Sequence, residues 1–290
     1  MMAARRWMHC WQNLEAFCLQ DYPREAWELI IANDGGAPLD ALLAEFADRL
    51  PLRSLRLESN QGISAVFNAA AQIAQGTLLI FSGDDGWPAP DWIRQLAKAH
   101  QAAPDELLGS AIYNGLPENL YAQASQTILD AAYAYYNRAA GQARFFAGMG
   151  HAMPAKRFAA IGGYDLKLRR SQDRDLCERW REQGWGLTYV PEARIAHVHP
   201  LTLAGFWRRH VKEGRGAYWF HQGRRQRGTG HLRQETSYIR DPRNWLFYPL
   251  RHERGVRALA LMGLLLLWQV ANLLGYLDQA WRERTGRGGA

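Results

Sequence analysis

A chain of 290 residues that is 48% hydrophobic and 22% charged can bury a sizeable core, which excludes a disordered tail or linker. Its net charge of +7 suits an anionic partner: nucleic acid, a membrane surface or a phosphorylated substrate. Three scattered cysteines (Cys10, Cys18 and Cys177) exclude a disulfide framework and a cysteine zinc site, and fit a reducing compartment.

Residues Trp7 to Leu19 carry apolar groups at helical spacing and stop at Gln20-Asp21-Tyr22-Pro23. Trp27 to Ala32 predicts a strand ended by Asn33-Asp34-Gly35-Gly36, Asp40 to Leu50 a helix and Leu52 to Leu57 a short strand. A helix over Ile63 to Ala74 follows Ser59-Asn60-Gln61-Gly62. Leu78 to Phe81 is an apolar run that reads as a buried strand, broken by Ser82-Gly83-Asp84-Asp85-Gly86-Trp87-Pro88. Asp91 to His100 is a helix introduced by Pro90. Strands alternating with helices indicate βαβ units, hence an α/β fold with a mainly parallel sheet.

Beyond residue 104 the alternation weakens. Helices are expected over Gln123 to Arg138, Ala155 to Ile161, Asp173 to Gln183 and Leu203 to Gln222. A strand or strand pair is expected over Phe145 to Met153, and two strands over Leu187 to Val190 and Arg194 to Val198. Gln222 to Gly230 reads as a basic, mobile loop. Alone, Asp84-Asp85-Gly86 is an acidic turn. Asp34 after one strand, Asp84 and Asp85 after another, and Asp173 with Asp175 opening a helix make a set. Ligands of open α/β sheets sit beyond the carboxyl ends of the strands, where such carboxylates hold ribose, a hard cation or a substrate proton.

Seven segments carry a family resemblance in order: QDYP (20–23), IIANDGG (30–36), SNQGISAVFNAA (59–70), IFSGDDGWPAPDWI (80–93), IGGYD (161–165), SQDRDL (171–176) and YVPEARIAHVHP (189–200). From Leu14 to His199 the chain resembles an inverting family-2 glycosyltransferase of the GT-A fold. The resemblance implies a nucleotide-diphosphate sugar donor, a divalent metal (Mg²⁺ or Mn²⁺) and a hydroxyl acceptor on a saccharide or lipid. It implies Asp34, Asp84, Gly62 and Asn68 at the donor, Asp85 at the metal, and Asp173 as the general base. His197 and His199 would complete the metal site or contact the diphosphate. No Q-x-x-R-W motif is present, so transfer of a single sugar is expected.

Three departures stand out. Gly83 replaces the first carboxylate of the usual DxD, and Gln172 replaces the Glu ahead of the base. The family's opening strand and its base-binding loop have no counterpart before Trp7. The expectation is a start lying upstream; the alternative is a sheet lacking a central strand, with an exposed edge. These departures also motivate a second reading, a catalytically degenerate GT-A module that partners another transferase.

The division expected is a catalytic domain over 1–202 and a helical extension over 203–290, with an apolar segment at 258–277. Twenty residues of helix reach about 30 Å, enough for a bilayer core. Gln269, Asn272 and Tyr276 form a polar stripe, and arginines flank both ends. A helix lying in the cytoplasmic membrane interface, or inserted as a hairpin, is therefore expected over a simple span, with a buried core or dimer helix as the other reading. The segment 203–222 interleaves Trp207, Arg208, Arg209, Lys212, Arg215 and Trp219, which suits anionic headgroups, the diphosphate of a lipid-linked acceptor, or a plain solvated basic face. Charge alone suggests nucleic acid, and no motif supports it; together with the membrane-facing segments, the resemblance implies a role in surface-polysaccharide or glycolipid synthesis at the cytoplasmic membrane face.

Overall fold

The computed structural model describes residues 2–137, 143–229 and 237–286. In chain order the elements are α1 (Met2–Cys18), β1 (Leu29–Asn33), α2 (Asp40–Phe46), β2 (Leu52–Arg56), α3 (Ile63–Ile73), β3 (Leu78–Phe81), β4 (Gly86–Pro88) and α4 (Trp92–Ala102). There follow β5 (Leu107–Asn114), α5 (Leu120–Tyr136), β6 (His151–Pro154), α6 (Ala155–Ala160), α7 (Gln172–Glu182) and β7 (Leu187–His197). The last helices are α8 (Leu203–Arg227), α9 (Ser237–Arg240) and α10 (Gly255–Arg284). The described residues form two compact units: residues 2–115, 143–169 and 173–198, and residues 116–137, 170–172, 199–229 and 237–286.

The first unit is the expected α/β body, with its strands in two sheets. One is the parallel pair β1–β2; the other has the order β3-β6-β5-β7-β4. The central ladder is β5 against β7 in parallel, with β6 antiparallel to both β3 and β5. Trp92, Leu96, Leu107, Leu108, Phe146 and Trp180 are fully buried around it. Phe146 packs on the β5 backbone at Gly109, where an added Cβ would lie 2.1 Å from the ring. Only glycine fits there, which is the usual meaning of Gly inside a strand.

Four expectations are corrected. The strand β5 was not legible from Leu107-Leu108-Gly109-Ser110-Ala111, because glycine and serine hide an apolar run. The two strands expected after Leu187 are one, β7, interrupted by a register shift between Ser110 and Ala111 of β5 that takes up Pro191, Glu192 and Ala193. A bulge is where a sheet tolerates proline. Residues 145–150 are irregular, and only His151–Pro154 forms a strand. Lastly, the expected loop at 222–230 is helical through Arg227 and ends at Gly228 in the left-handed region, φ 74°; Gly230 lies outside the described residues, as does Arg138.

The second unit pairs α8 with α10, and α5 packs on both. Asn119 caps α5 by accepting from Ala122 N–H, and Thr202 caps α8 by accepting from Gly205 N–H. The α8–α10 crossing is made by two glycines. A Cβ on Gly214 would lie 2.1 Å from Asn272 O, and one on Gly275 2.0 Å from Val211 O. The polar stripe of α10 faces α8, with Tyr276 against the rings of Tyr218 and His221.

Each unit also buries a histidine. In the first, His151 is sealed between Phe146 O, 2.9 Å from its Nε2, and Tyr164 Oη, 3.3 Å from its Nδ1. The carbonyl can only accept, so Nε2 carries the proton and Nδ1 accepts from the tyrosine. Burial holds the His151 pKa below its ordinary value. In the second, burial and the neighbouring Arg209 push His210 down to about 3.

Two predictions follow from this packing. Gly275→Val overpacks the crossing and destabilises the fold by about 1–3 kcal/mol, whereas Gly263→Ala, with open space at its Cβ, stabilises it by up to about 1 kcal/mol. Urea midpoints measure both. Because the unfolded chain protonates His151 and His210 near pH 6.5 and the folded chain does not, stability falls as pH drops below about 6.5. The slope is at most about 1.4 kcal/mol per pH unit for each histidine. A melting temperature followed from pH 7.5 to 5 should fall, and His151→Gln should flatten part of that fall.

Candidate functional site

The β3 strand ends at Phe81, and Ser82 to Asp85 make a turn closed by Gly86 N–H to Gly83 O at 3.2 Å. The chain then re-enters the sheet as β4, antiparallel to β7, with Gly86 opposite His197 and Pro88 opposite Ile195. This register sets Asp85 against the last residue of β7. Its backbone O accepts from Val198 N–H at 2.8 Å, and its Oδ2 lies 3.1 Å from His197 Nε2. His199 follows two residues beyond β7. One ligand atom from each of Asp85, His197 and His199 lies within 4.8 Å of the others. One carboxylate and two imidazoles fit a first-row transition-metal dication better than Mg²⁺, which prefers oxygen and water.

Gly83, the position where the resemblance would put a carboxylate, faces the Asp85 side chain, which would have to shift to admit a Cβ. A Cβ there would lie 2.8 Å from Asp85 Oδ1. The neighbouring Asp84 is exposed, with Cys10 Sγ 4.0 Å from its Oδ2. The turn is braced from α1 by Asn13, whose buried amide donates to Gly86 O and, at 3.4 Å, to Gly83 O. Neither Asn13 nor Cys10 was singled out by sequence, since nothing in α1 marks them.

Asp34 sits just past β1, and both of its oxygens are engaged. Oδ1 accepts from Gln61 N–H at 2.8 Å and Oδ2 from Gly62 N–H at 2.9 Å. Gly62 has φ 96° and Gly35 φ 70°, backbone states that favour glycine. At Gly35 a Cβ would also strike the Ser59 backbone at 2.4 Å. The carboxylate thus ties the end of β1 to the loop entering α3. Asn68 has its amide spent on Tyr164: Nδ2 donates to Tyr164 O at 2.8 Å and Oδ1 accepts from Tyr164 N–H at 2.9 Å. It braces the Gly162-Gly163-Tyr164 turn.

Asp173 lies in the first turn of α7. Its Oδ2 accepts from Gly148 N–H at 3.0 Å and its Oδ1 from Arg174 N–H at 2.8 Å, so two amides fix the orientation of the carboxylate. Ser171, just ahead of the helix, has φ 61°, a left-handed state rare for serine and typical of functional turns. The Asp173 charge reaches a buried cluster that sequence reading missed: His151, Tyr164 and Cys177. Phe146 O receives both His151 Nε2 and, at 3.8 Å, Cys177 Sγ. Burial pushes the Cys177 thiol up to about 12 and the Tyr164 hydroxyl well above its ordinary range. All three are neutral at physiological pH and serve as a scaffold under the 146–148 backbone. In that segment Gly148 and Gly150 were read as strand.

The sequence model of Glycosyl transferase family 2 matches residues 11–161. No curated protein matches the sequence. Among solved structures, the mannosyltransferase PcManGT from Pyrobaculum calidifontis, in complex with GDP-Man and Mn²⁺, is similar with a TM-score of 0.58 and 16% identity, over 94% of this chain and 74% of that one. Residues 1–349 of TarS from S. aureus are similar with a TM-score of 0.50 and 12% identity, over 96% of this chain and 88% of that one. At such identities the likeness shows the fold, and it is the GT-A fold expected from the motifs. With just over half of its length matched by the family model, the chain belongs to glycosyl transferase family 2.

Proposed function

We propose that the protein transfers a single sugar from a nucleotide-diphosphate donor to a hydroxyl acceptor, with inversion and with a divalent metal. The observation that carries this reading is Asp85 set 3.1 Å from His197 at the carboxyl end of the sheet, with His199 in reach. A metal bound there would offset the charge that develops on the departing diphosphate. A structural relative held with GDP-Man and Mn²⁺ supports both the donor class and a transition-metal dication of the kind the imidazole ligands fit. Asp34 and Asp84 face the nucleoside side, while Gly62 and Asn68 shape the loop and turn around it.

Asp173 acts as the base. Its carboxylate takes the acceptor hydroxyl proton as the acceptor oxygen bonds the anomeric carbon; the bond from that carbon to the diphosphate oxygen breaks, and the diphosphate leaves on the opposite face. Two backbone amides hold the carboxylate still for this step. Asp173→Asn should lower kcat by about 10²–10⁴-fold while leaving donor affinity within a few fold. Transfer or hydrolysis of GDP- and UDP-sugars, with calorimetry of donor binding, measures both; retained turnover removes Asp173 from this role. Donor binding without turnover in the unaltered protein would favour the degenerate, partner-bound module.

The reaction is further proposed to serve polysaccharide or glycolipid synthesis at the cytoplasmic membrane face, with α10 as the anchor. This helix is long and apolar enough to cross a bilayer. Val256, Leu259, Leu266, Val270, Leu273, Leu274, Leu277 and Trp281 are exposed, and they fall within an arc of about 100° at 3.6 residues per turn. The opposite side packs on α8, which carries Arg208 and Lys212 in solvent. A helix with one apolar and one protein-packed side suits the interface plane better than a span. The protein should sediment with vesicles containing phosphatidylglycerol, and Leu266→Glu with Leu273→Glu should release it. If the unaltered protein ignores vesicles and the double variant instead dissolves a dimer, the stripe joins two chains.

A further inference from the structure

The face of the sheet that carries Phe146 is open along part of its length. In the β5–β7 ladder Tyr189 lies opposite Gly109, Arg194 opposite Ala111 and Tyr113 opposite Ala196. Alternation along β5 puts these three rungs on one face. Two contacts fix which side chains share it. The Phe146 ring lies on Gly109 and stacks with Tyr189 at 6.0 Å and 24°, and the Arg194 guanidinium lies 5.0 Å from the centre of the Tyr113 ring. The other face holds Ser110, Val190 and Ile195, all buried, with Trp92 of α4 bonded to Ser110. On the open face Tyr113 is 38% and Tyr189 39% exposed, and Arg194 stands in solvent on the rung between them. The shelf from Tyr189 to Tyr113 is about 13 Å long, four residues of β5 at strand rise.

Arg194 decides what fits there. Its guanidinium makes no hydrogen bond or ion pair among the described residues, and Glu192 in the neighbouring bulge does not pair with it. Arg49 and Arg157 stack in the same way on Phe46 and Trp185, yet each also bonds an acid, Glu15 and Asp105 respectively. At Arg194 the ring fixes the fork and the N–H donors stay available. Such a fork meets a carboxylate or a phosphate with two parallel bonds. The aromatic rings on either side suit a molecule with an apolar C–H face and a wet rim of hydroxyls. A sugar bearing an acidic group matches both features. A wholly apolar ligand would cover the guanidinium and leave its charge unpaired, which is costly.

Position points to the acceptor. Tyr113 precedes Asn114, which lies opposite His197, so the shelf reaches the carboxyl end of the sheet one rung short of the Asp85, His197 and His199 cluster. At its other end Phe146 belongs to the same short segment as Gly148, whose amide holds Asp173. Asp34, assigned above to the nucleoside, follows β1 in the separate β1–β2 sheet. We propose that Tyr113, Arg194 and Tyr189 form a subsite for the acceptor, and that this acceptor is a sugar carrying a carboxylate or a phosphate. The acceptor role rests on the transfer reaction proposed above, whereas the site for an acidic sugar rests on the shelf itself.

The test is a set of nuclear magnetic resonance titrations of the full chain, without donor, using methyl glucoside, methyl glucuronide and a phosphorylated methyl glucoside. At least one of the two acidic sugars should bind tenfold or more tightly than the neutral one, and the tighter of them identifies the acidic group. Arg194→Gln should bring all three sugars to the same affinity, while Arg194→Lys, which keeps the charge without the fork, should retain part of the preference. Tyr113→Ala should weaken all three several-fold and Tyr113→Phe, which keeps the ring, should not. These side chains are exposed, so melting temperatures should stay within a few degrees of the unaltered protein. Equal affinity for the three sugars, or an acid preference that survives Arg194→Gln, would overturn the proposal. So would transfer from a nucleotide sugar to neutral acceptors alone, which leaves the transferase reading intact. Acid-selective binding that Arg194→Gln removes, in a protein that never turns over, would defeat the functional reading and leave the acidic-sugar site standing.

Discussion

The pairing of three residues, Gly86 to Pro88, with the end of β7 holds the candidate site together. An acidic turn after a strand is common and commits to nothing. Here the turn re-enters the sheet, and the ladder brings Asp85 beside a histidine 112 residues away in sequence. The turn is closely packed by side chains: Gly83 faces the Asp85 carboxylate, and a Cβ on Gly86 would lie 2.8 Å from Ser82 Oγ and 3.0 Å from Ile195 Cδ1. A side chain at position 83, where the family resemblance led one to expect a carboxylate, would meet the tip of the Asp85 carboxylate and require it to shift.

The parts of the fold that were legible in the sequence are those with local causes. The run Leu78–Phe81 lies between Gly76-Thr77 and Ser82-Gly83 and forms a strand with those limits. The helix Ile63–Ile73 follows a glycine whose positive φ starts it. The parts that were not legible depend on distant partners. β5 carries Gly109 because Phe146 lies on it, and β7 passes through Pro191 because β5 supplies the register shift. Residues 145–150 look apolar enough for a strand, yet their backbone is bent to serve Asp173 and His151.

The same division holds in the site. Asp34, Asp84, Asp85, Asp173, His197 and His199 could be chosen from motifs, and the geometry brings Asp85, His197 and His199 within ligand reach of one another. Asn68 was chosen from the same motifs, and its amide closes on the backbone of Tyr164. Asn13, His151 and Cys177 have no local signature, and the IGGYD segment that contains Tyr164 does not mark that residue's role. Their roles are to hold backbone at the turn and under Asp173, and such roles exist only once the chain is folded.

The account rests on a metal-assisted hold on a nucleoside diphosphate at Asp85, which direct binding can test. Calorimetry of GDP and UDP with and without Mn²⁺ should show nucleotide affinity rising at least tenfold with the ion. Asp85→Ala should abolish that gain and leave the melting temperature within a few degrees of the unaltered protein. Nucleotide affinity that is the same with Mn²⁺, with chelator and in Asp85→Ala would contradict it.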